Sequence, residues 1–399
     1  MDAPANIDPA TKYSDSDVVH WLTNEARNER FIDNIFAEMC LRLQRAGIPV
    51  KRATLHVMIQ HPQWLGAKIL WADGVPGTEM TRADHDVRER PAYIGSPVSE
   101  IHNGATEVRE SLETDPALGR KHAVYDEMRA MGLTEYVAWP LYHTLGKKHV
   151  VTFATDRPGG FDDAHIKSLQ KLLPILALVS EIRVKNRLAR TLLETYVGSH
   201  AGELILAGAT RRGTGTTVRA AIMICDLRDF THISDNWPRD DVIDLLNGYF
   251  DAISEPIGRH GGEILKFMGD GLLAIFPLSE PQACANLLHA VTEARQAMIA
   301  LNSKNGEAGR APLRYGIGVH VGDVMYGNIG SSARLDFTVI GPAVNMASRL
   351  EALTKQVGKN VLLSHAFADL VKNDFELERV GEFPVRGFNA PVELFAYQG

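Results

Sequence analysis

Apolar positions along this chain follow two periods, and the change from one to the other marks its elements. In the second half, residues 220–225 and 272–276 are unbroken apolar runs, the pattern of strands buried on both faces. Val339 and Ile340 end a third apolar strand, and Gly341-Pro342 turns the chain. Residues 343–353 then read as a helix, with Val344, Ala347 and Leu350 on one face and Met346 and Leu353 beside it. Asn345 and Arg349, four apart, share the other face.

The first half is mixed in the same way. Val18, Trp21, Leu22, Ala26, Phe31, Ile35, Met39 and Leu43 predict one helix over 17–46, stopped at Gly47. Thr54–Ile59 and Ala67–Trp71 read as strands joined through His61-Pro62. Charge and turn residues dominate 84–118, where no element stands out. A helix is expected over Ala123–Met131, capped by Gly132. Tyr136–Tyr142 and His149–Thr155 read as a hairpin around Leu145-Gly146, followed by a turn at 156–160. Apolar residues at spacings of three and four predict helix over 162–197, with Pro174 expected to kink or divide it. That stretch reads either as a packing helix or as a short coiled-coil-like linker between domains. Gly198 ends it, and residues 211–217 form a turn before the first strand of the second half.

These elements imply a lead at 1–16, an α+β domain at 17–160, a helical linker at 161–198 and a second α+β domain at 199–399. In the first domain Trp64, Trp71, Tyr93, Trp139, Tyr142 and Phe153 are candidates to line an apolar pocket, although each is more simply a core aromatic. His56 and His61 have poor metal-ligand spacing and read as structural.

Two aspartates carry the chemistry. Asp226 ends the run 220–225, and Asp270 precedes the run 272–276. A lone Asp in such a place is usually a helix cap or turn residue. A carboxylate at the end of a buried strand is costly unless a positive charge compensates it. Two that converge suit hard divalent cations and phosphoryl chemistry. Lys266 lies four residues before Asp270. On the helix after Gly341, the Asn345 amide and Arg349 guanidinium suit a ribose and a phosphate, since Arg offers a planar fork of donors.

Taken in order, these segments resemble the class III nucleotide cyclases over roughly residues 216–399. The resemblance implies an α+β, ferredoxin-like or palm-type catalytic fold. It implies two Mg²⁺ or Mn²⁺ ions held by Asp226, the main-chain carbonyl of Leu227 and Asp270. Lys266 and Thr338 match the two purine-reading positions, Asn345 the ribose-orienting position and Arg349 the transition-state-stabilising position. Lys266 is a pure donor and Thr338 can accept, a pair that complements N1 and N6 of adenine, so ATP is favoured over GTP. Thr at the second position resembles the subclass that includes bicarbonate-responsive bacterial and soluble animal cyclases. Residues 316–324 match the strand and turn before a dimer-contacting arm. One departure stands near the C-terminus, where Phe388 fills the usual triphosphate-lysine slot and Arg386 is the nearest basic candidate. The implied active unit is a homodimer with composite sites, making cyclic AMP and pyrophosphate. A guanylate cyclase and a nucleotide-binding domain without catalysis are the rivals. The first domain resembles GAF-like or PAS-like sensor domains in architecture, with an unidentified small-molecule or protein input.

Composition narrows the setting. The chain has 399 residues, 45% hydrophobic and 23% charged, as in soluble globular proteins. A net charge of −7 without basic runs argues against nucleic-acid and membrane-surface binding. Cys40, Cys225 and Cys284 are far apart and unpaired in pattern, which suggests a reducing compartment. No apolar stretch reaches transmembrane length and the N-terminus lacks a signal pattern, so a cytoplasmic location is expected.

Overall fold

A computed structural model describes residues 15–59, 64–114, 122–386 and 391–399. The chain divides into two units, Met1–Leu192 and Leu193–Gly399.

The first unit opens with α1 (Asp15–Asn24) and α2 (Ile32–Arg45). The single helix expected over 17–46 is therefore two, parted by a 3-10 turn at Ala26–Asn28 and an extended Phe31. Residues 24–30 offer only Ala26 for burial, so no apolar face holds a continuous helix there. Helix α1 also begins inside the stretch expected as a lead, whose residues 1–14 lie outside the described ones. Among the described residues, six strands form one antiparallel sheet. They are β1 (Arg52–Met58), β2 (Gly66–Ala72), β3 (Glu79–Ala83), β4 (Val108–Ser111), β5 (Glu135–Tyr142) and β6 (Lys148–Thr155), in the order β3-β2-β1-β6-β5-β4. The expected β1–β2 and β5–β6 pairings both form; His61-Pro62 lies outside the described residues.

Helices cover both faces of this sheet. Against one pack α1, α2 and α5 (Asp163–Val197), through Trp21, Phe36, Leu169 and Leu176. Against the other pack α3 (Pro97–His102) and α4 (Ala123–Ala130), through Ile101, Tyr125 and Met128. Trp71, Trp139 and Phe153 belong to the first of these cores, so the simpler expectation for them holds. Tyr142 is instead exposed, and Trp64 packs at the edge of that core. His56 is structural, bonded to the Thr54 hydroxyl at 2.9 Å, and burial pushes its pKa down to about 3. Helix α5 runs through Pro174 as one helix, so of the kink or division expected there the division does not occur. Pro174 sits on its exposed side, while burial from Ile166 to Val184 anchors the helix on both sides of the lost bond. No residue of α5 beyond Val184 is buried.

In the second unit α6 (Ser199–Leu206) precedes β7 (Gly215–Leu227). Then come α7 (Phe230–Asn236), α8 (Arg239–Arg259), β8 (Glu263–Met268), β9 (Gly271–Pro277) and α9 (Ala283–Glu307). The long β10 (Tyr315–Gly330) folds back through β11 (Leu335–Ile340) into α10 (Pro342–Val357). Finally β12 (Val361–Ser364), α11 (His365–Val371), β13 (Glu378–Phe383) and β14 (Val392–Ala396) complete the sheet. The segment β7-α8-β8-β9-α9-β10 gives strand order β10-β7-β9-β8, all antiparallel, which is the ferredoxin-like arrangement expected. Strand β7 is central and buried on both faces, as its apolar run predicts. Ala221, Met223 and Cys225 face α8 and α9, while Ala220, Ile222 and Ile224 face α6, β11 and α10.

Helix α10 lies very close to β10, and glycine makes that possible. A methyl at Gly318 would strike the Ala347 carbonyl and the Glu351 amide, and one at Gly316 would strike the Thr354 hydroxyl. At Gly322 it would lie 2.8 Å from the Ala343 methyl. Alternate positions on a strand share a face, so the three glycines form one smooth strip beneath the helix. Gly318→Ala should therefore lower unfolding stability in urea by about 1–3 kcal/mol through overpacking against backbone. Gly306→Ala, inside α9 with open space around it, should be neutral or slightly stabilising. Equal stability of the two variants would contradict this packing.

Candidate active site

Asp226 is the penultimate residue of β7, where the buried run ends. In the ladder it pairs with Gly271 of β9 on one side and Gly316 of β10 on the other. Met268 and Gly271 also pair, so Gly269-Asp270 is a two-residue hairpin turn between β8 and β9. Gly269 has φ of +68°, as a tight turn with glycine first requires. Asp270 thus stands next to the residue that opposes Asp226, and the register alone brings the two carboxylates together. The bare backbone of Gly271 is essential to this. A methyl there would lie 2.8 Å from Asp226 Oδ1 and 3.0 Å from the Cys225 carbonyl.

Electrostatics separate this pair from an ordinary capping aspartate. Burial, then the charge of Asp270, raise the pKa of Asp226 to about 6. Burial also raises that of Asp270. Asp229, three residues on, behaves in the opposite way. Lys355 at 3.1 Å and Arg314 at 2.5 Å hold its carboxyl below the usual range, and it is a structural ion-pair residue. Glu351 was not singled out from the sequence. Burial and the charge of Asp226 raise its pKa to about 7, with Asp270 adding to this and Arg228 opposing it. It reaches the pair because α10 sits on the glycine strip, a tertiary contact with no local sequence signal beyond the alternate glycines.

Two partly buried carboxylates that resist ionisation fit a hard divalent cation, whose charge would reverse both effects. Leu227 follows Asp226 as the last residue of β7, with its side chain buried. Among the described residues, no group of three or more His, Cys, Asp or Glu side chains is arranged to hold a metal.

The remaining sequence candidates fall on three elements. Lys266 is half-buried on β8, opposite Leu273, just after a bulge. Thr338 lies on β11, opposite Gly327, and is 5% exposed with a buried hydroxyl that has no hydrogen-bond partner. Strands β8 and β11 are in contact, so the two come from neighbouring elements. Asn345 is exposed and Arg349 half-buried on α10, whose Ala343, Met346, Ala347 and Leu350 are buried. Arg386 is exposed just beyond β13, the edge strand opposite β8, and Phe388 lies outside the described residues.

Comparison with known proteins now bears on this geometry. Residues 215–398 match the model of the adenylate and guanylate cyclase catalytic domain. Over 158 residues the chain is 37% identical to an adenylate cyclase of Anabaena cylindrica, covering 39% of this chain and 31% of that protein. It is 30% identical over 179 residues to adenylate cyclase 1 of Rhizobium meliloti, covering 44% and 27%. The chain thus spans under a third of the length of these two relatives. Among solved structures, the adenylyl cyclase CyaB of P. aeruginosa aligns with TM-score 0.42 and 30% identity, over 46% of this chain and 95% of that one. The second unit carries a class III adenylate/guanylate cyclase catalytic domain.

The raised pKa of Asp226 fixes the sign of a pH effect. Between the usual carboxylate range and about 6, the folded chain keeps a proton that the unfolded chain has released. Metal-free stability from this group therefore falls as pH rises through that window. The stability of Asp226→Asn minus wild type should grow by on the order of 2 kcal/mol from about pH 4 to about pH 7 in urea unfolding. Added Mn²⁺ should close that gap at the upper pH by stabilising the wild type. A difference that does not change with pH would contradict this assignment.

Proposed function

We propose that the chain is an adenylate cyclase, converting ATP to 3′,5′-cyclic AMP and pyrophosphate at composite sites of a homodimer. The observation that carries this is the half-buried aspartate pair fixed by the Asp226–Gly271 register. Asp226, the Leu227 carbonyl and Asp270 would hold two divalent cations, Mg²⁺ or Mn²⁺. Such ions would supply a lowered pKa at the ribose 3′-hydroxyl and neutralisation of the pyrophosphate leaving group. Lys266 donates to adenine N1, and the Thr338 hydroxyl accepts from N6. The buried, unpartnered hydroxyl of Thr338 supports that role, since it awaits a partner. Asn345 orients the ribose, and Arg349 donates to the α-phosphate as charge develops there. Arg386 is the candidate for the triphosphate. The names of the Anabaena and Rhizobium relatives support ATP as substrate.

In the homodimer one protomer supplies Asp226 and Asp270, and its partner supplies the purine-, ribose- and phosphate-binding residues. The first unit, an α+β domain of the GAF-like or PAS-like kind, regulates the second. The unburied end of α5 after Val184 supports a linker role between copies. Among the described residues, no helix is long and apolar enough to cross a membrane; the proposed setting is the cytoplasm.

Product formation by the full chain, with ATP or GTP and Mg²⁺ or Mn²⁺, tests this. Cyclic AMP that vanishes in Asp270→Ala is expected, while cyclic GMP would contradict the purine assignment. Absence of both products would contradict the activity. Arg349→Ala should lower kcat by about 10²–10³ while KM changes much less. A loss confined to KM would assign Arg349 to ground-state binding.

A further inference from the structure

Ladder pairing fixes most distances in the catalytic sheet, but not the one between the strands that carry Lys266 and Thr338. Among the described residues β8 pairs only with β9, and β11 only with β10. The two strands touch without sharing a hydrogen-bonded ladder. Their separation therefore rests on side chains, and one residue is placed to set it.

Glu263 opens β8, opposite Ile275, and Lys266 lies opposite Leu273. Ile275 and Leu273 both belong to the core shared with α6, β10 and β11. Alternation alone would put Lys266, three residues after Glu263, on the other face. The bulge between Ile264 and Lys266 restores it, so Glu263 and Lys266 share the face toward that core. The Glu263 carboxylate makes two bonds there. It accepts from the Tyr326 hydroxyl of β10 at 2.8 Å and from the Ala201 amide of α6. Ala201 is the third residue of α6, where an amide has no partner within the helix, and Gly198 before the helix has no side chain to cap it. The Tyr326 ring is buried and held from two sides. Phe337 of β11 meets it edge-on, with ring centroids 4.8 Å apart, and His200 of α6 stacks on it at 5.7 Å. Phe337 immediately precedes Thr338. Burial raises the pKa of Glu263, and the Tyr326 hydroxyl, His200 and the Ala201 amide oppose that rise.

We propose that Glu263 is a positioning residue for nucleotide recognition: through Tyr326 and Phe337 it sets the spacing of β8 and β11, and with it that of Lys266 and Thr338. Adenine N1 and N6 stand at a fixed distance on one ring edge, so two side chains that read both must be held at a matching distance. The hydrogen bond and the ring contact supply that hold where the ladder does not. The bond to Ala201 makes α6 part of the same support.

This inference rests on the purine assignment proposed above, and the variants separate the two. Each full chain is titrated calorimetrically, with Mn²⁺ present, with 3′-deoxy-ATP and with 3′-deoxy-GTP, which lack the attacking hydroxyl and cannot cyclise. The readout is the ratio of the two Kd values. Tyr326→Phe keeps the ring and loses the bond to Glu263, while Glu263→Ala loses both bonds. Each should shrink the wild-type preference for adenine about threefold or more. Glu263→Gln keeps an acceptor oxygen and should hold the preference nearer to wild type. Thermal unfolding reads the stability of each variant separately, and if Glu263→Ala does not fold, Tyr326→Phe decides alone. A wild-type ratio in Tyr326→Phe and Glu263→Ala, even with a lowered unfolding temperature, would overturn the proposal, since Glu263 would then only support the fold. If Lys266→Ala loses the preference while these two keep it, the purine assignment stands and the positioning role falls. No preference in the wild type would overturn both.

Discussion

The backbone pairing of Asp226 with Gly271 on one side and Gly316 on the other is the constraint on which the catalytic unit depends. It sets two bare backbone positions beside one carboxylate. Gly271 leaves room for the Asp226 oxygens, and the turn before it delivers Asp270. Gly316 leaves room for Glu351 and Thr354, and so lets α10 settle on the sheet with Asn345 and Arg349 along it. A one-residue slip of β7 would turn its whole apolar run to the opposite faces and part the aspartates together. Burial on both faces of β7 opposes such a slip, so the core that stabilises the fold also fixes the site. The cost appears in the carboxylates, whose ionisation is resisted by burial and, at Asp226, by the charge of Asp270.

In the first unit the sheet is covered by helices on both faces, with α1, α2 and α5 on one and α3 and α4 on the other. Its aromatic residues Trp71, Trp139 and Phe153 are spent on the first of these cores.

Much of this was legible in the sequence where burial is two-sided. The runs at 220–225 and 272–276 read as strands because no polar residue interrupts them, and α10 read correctly from its 3.6-residue period. The resemblance to cyclases rested on Asp226 and Asp270 at strand ends, joined by Lys266 on β8, Thr338 on β11, and Asn345 and Arg349 on α10. Glu351 escaped because its effect on Asp226 runs through helix-on-sheet packing, which periodicity does not report. The break at Ala26–Asn28 escaped because Ala26 and Phe31 continue the helical spacing, although Phe31 ends up 42% exposed. Pro174 does not divide α5, since eight buried residues along the helix outweigh one missing hydrogen bond.

The central claim is that aspartates from one protomer act on a nucleotide held by the other. Its most direct measurement is ATP turnover after mixing two inactive chains, Asp270→Ala and Arg349→Ala. Each mixed dimer then has one site with both intact halves and one with both defects. The account predicts recovery to about a quarter of the wild-type rate at equal mixing, from half of the dimers with one working site each. Turnover no higher than that of either chain alone, with mixed dimers shown to form, would contradict the composite site.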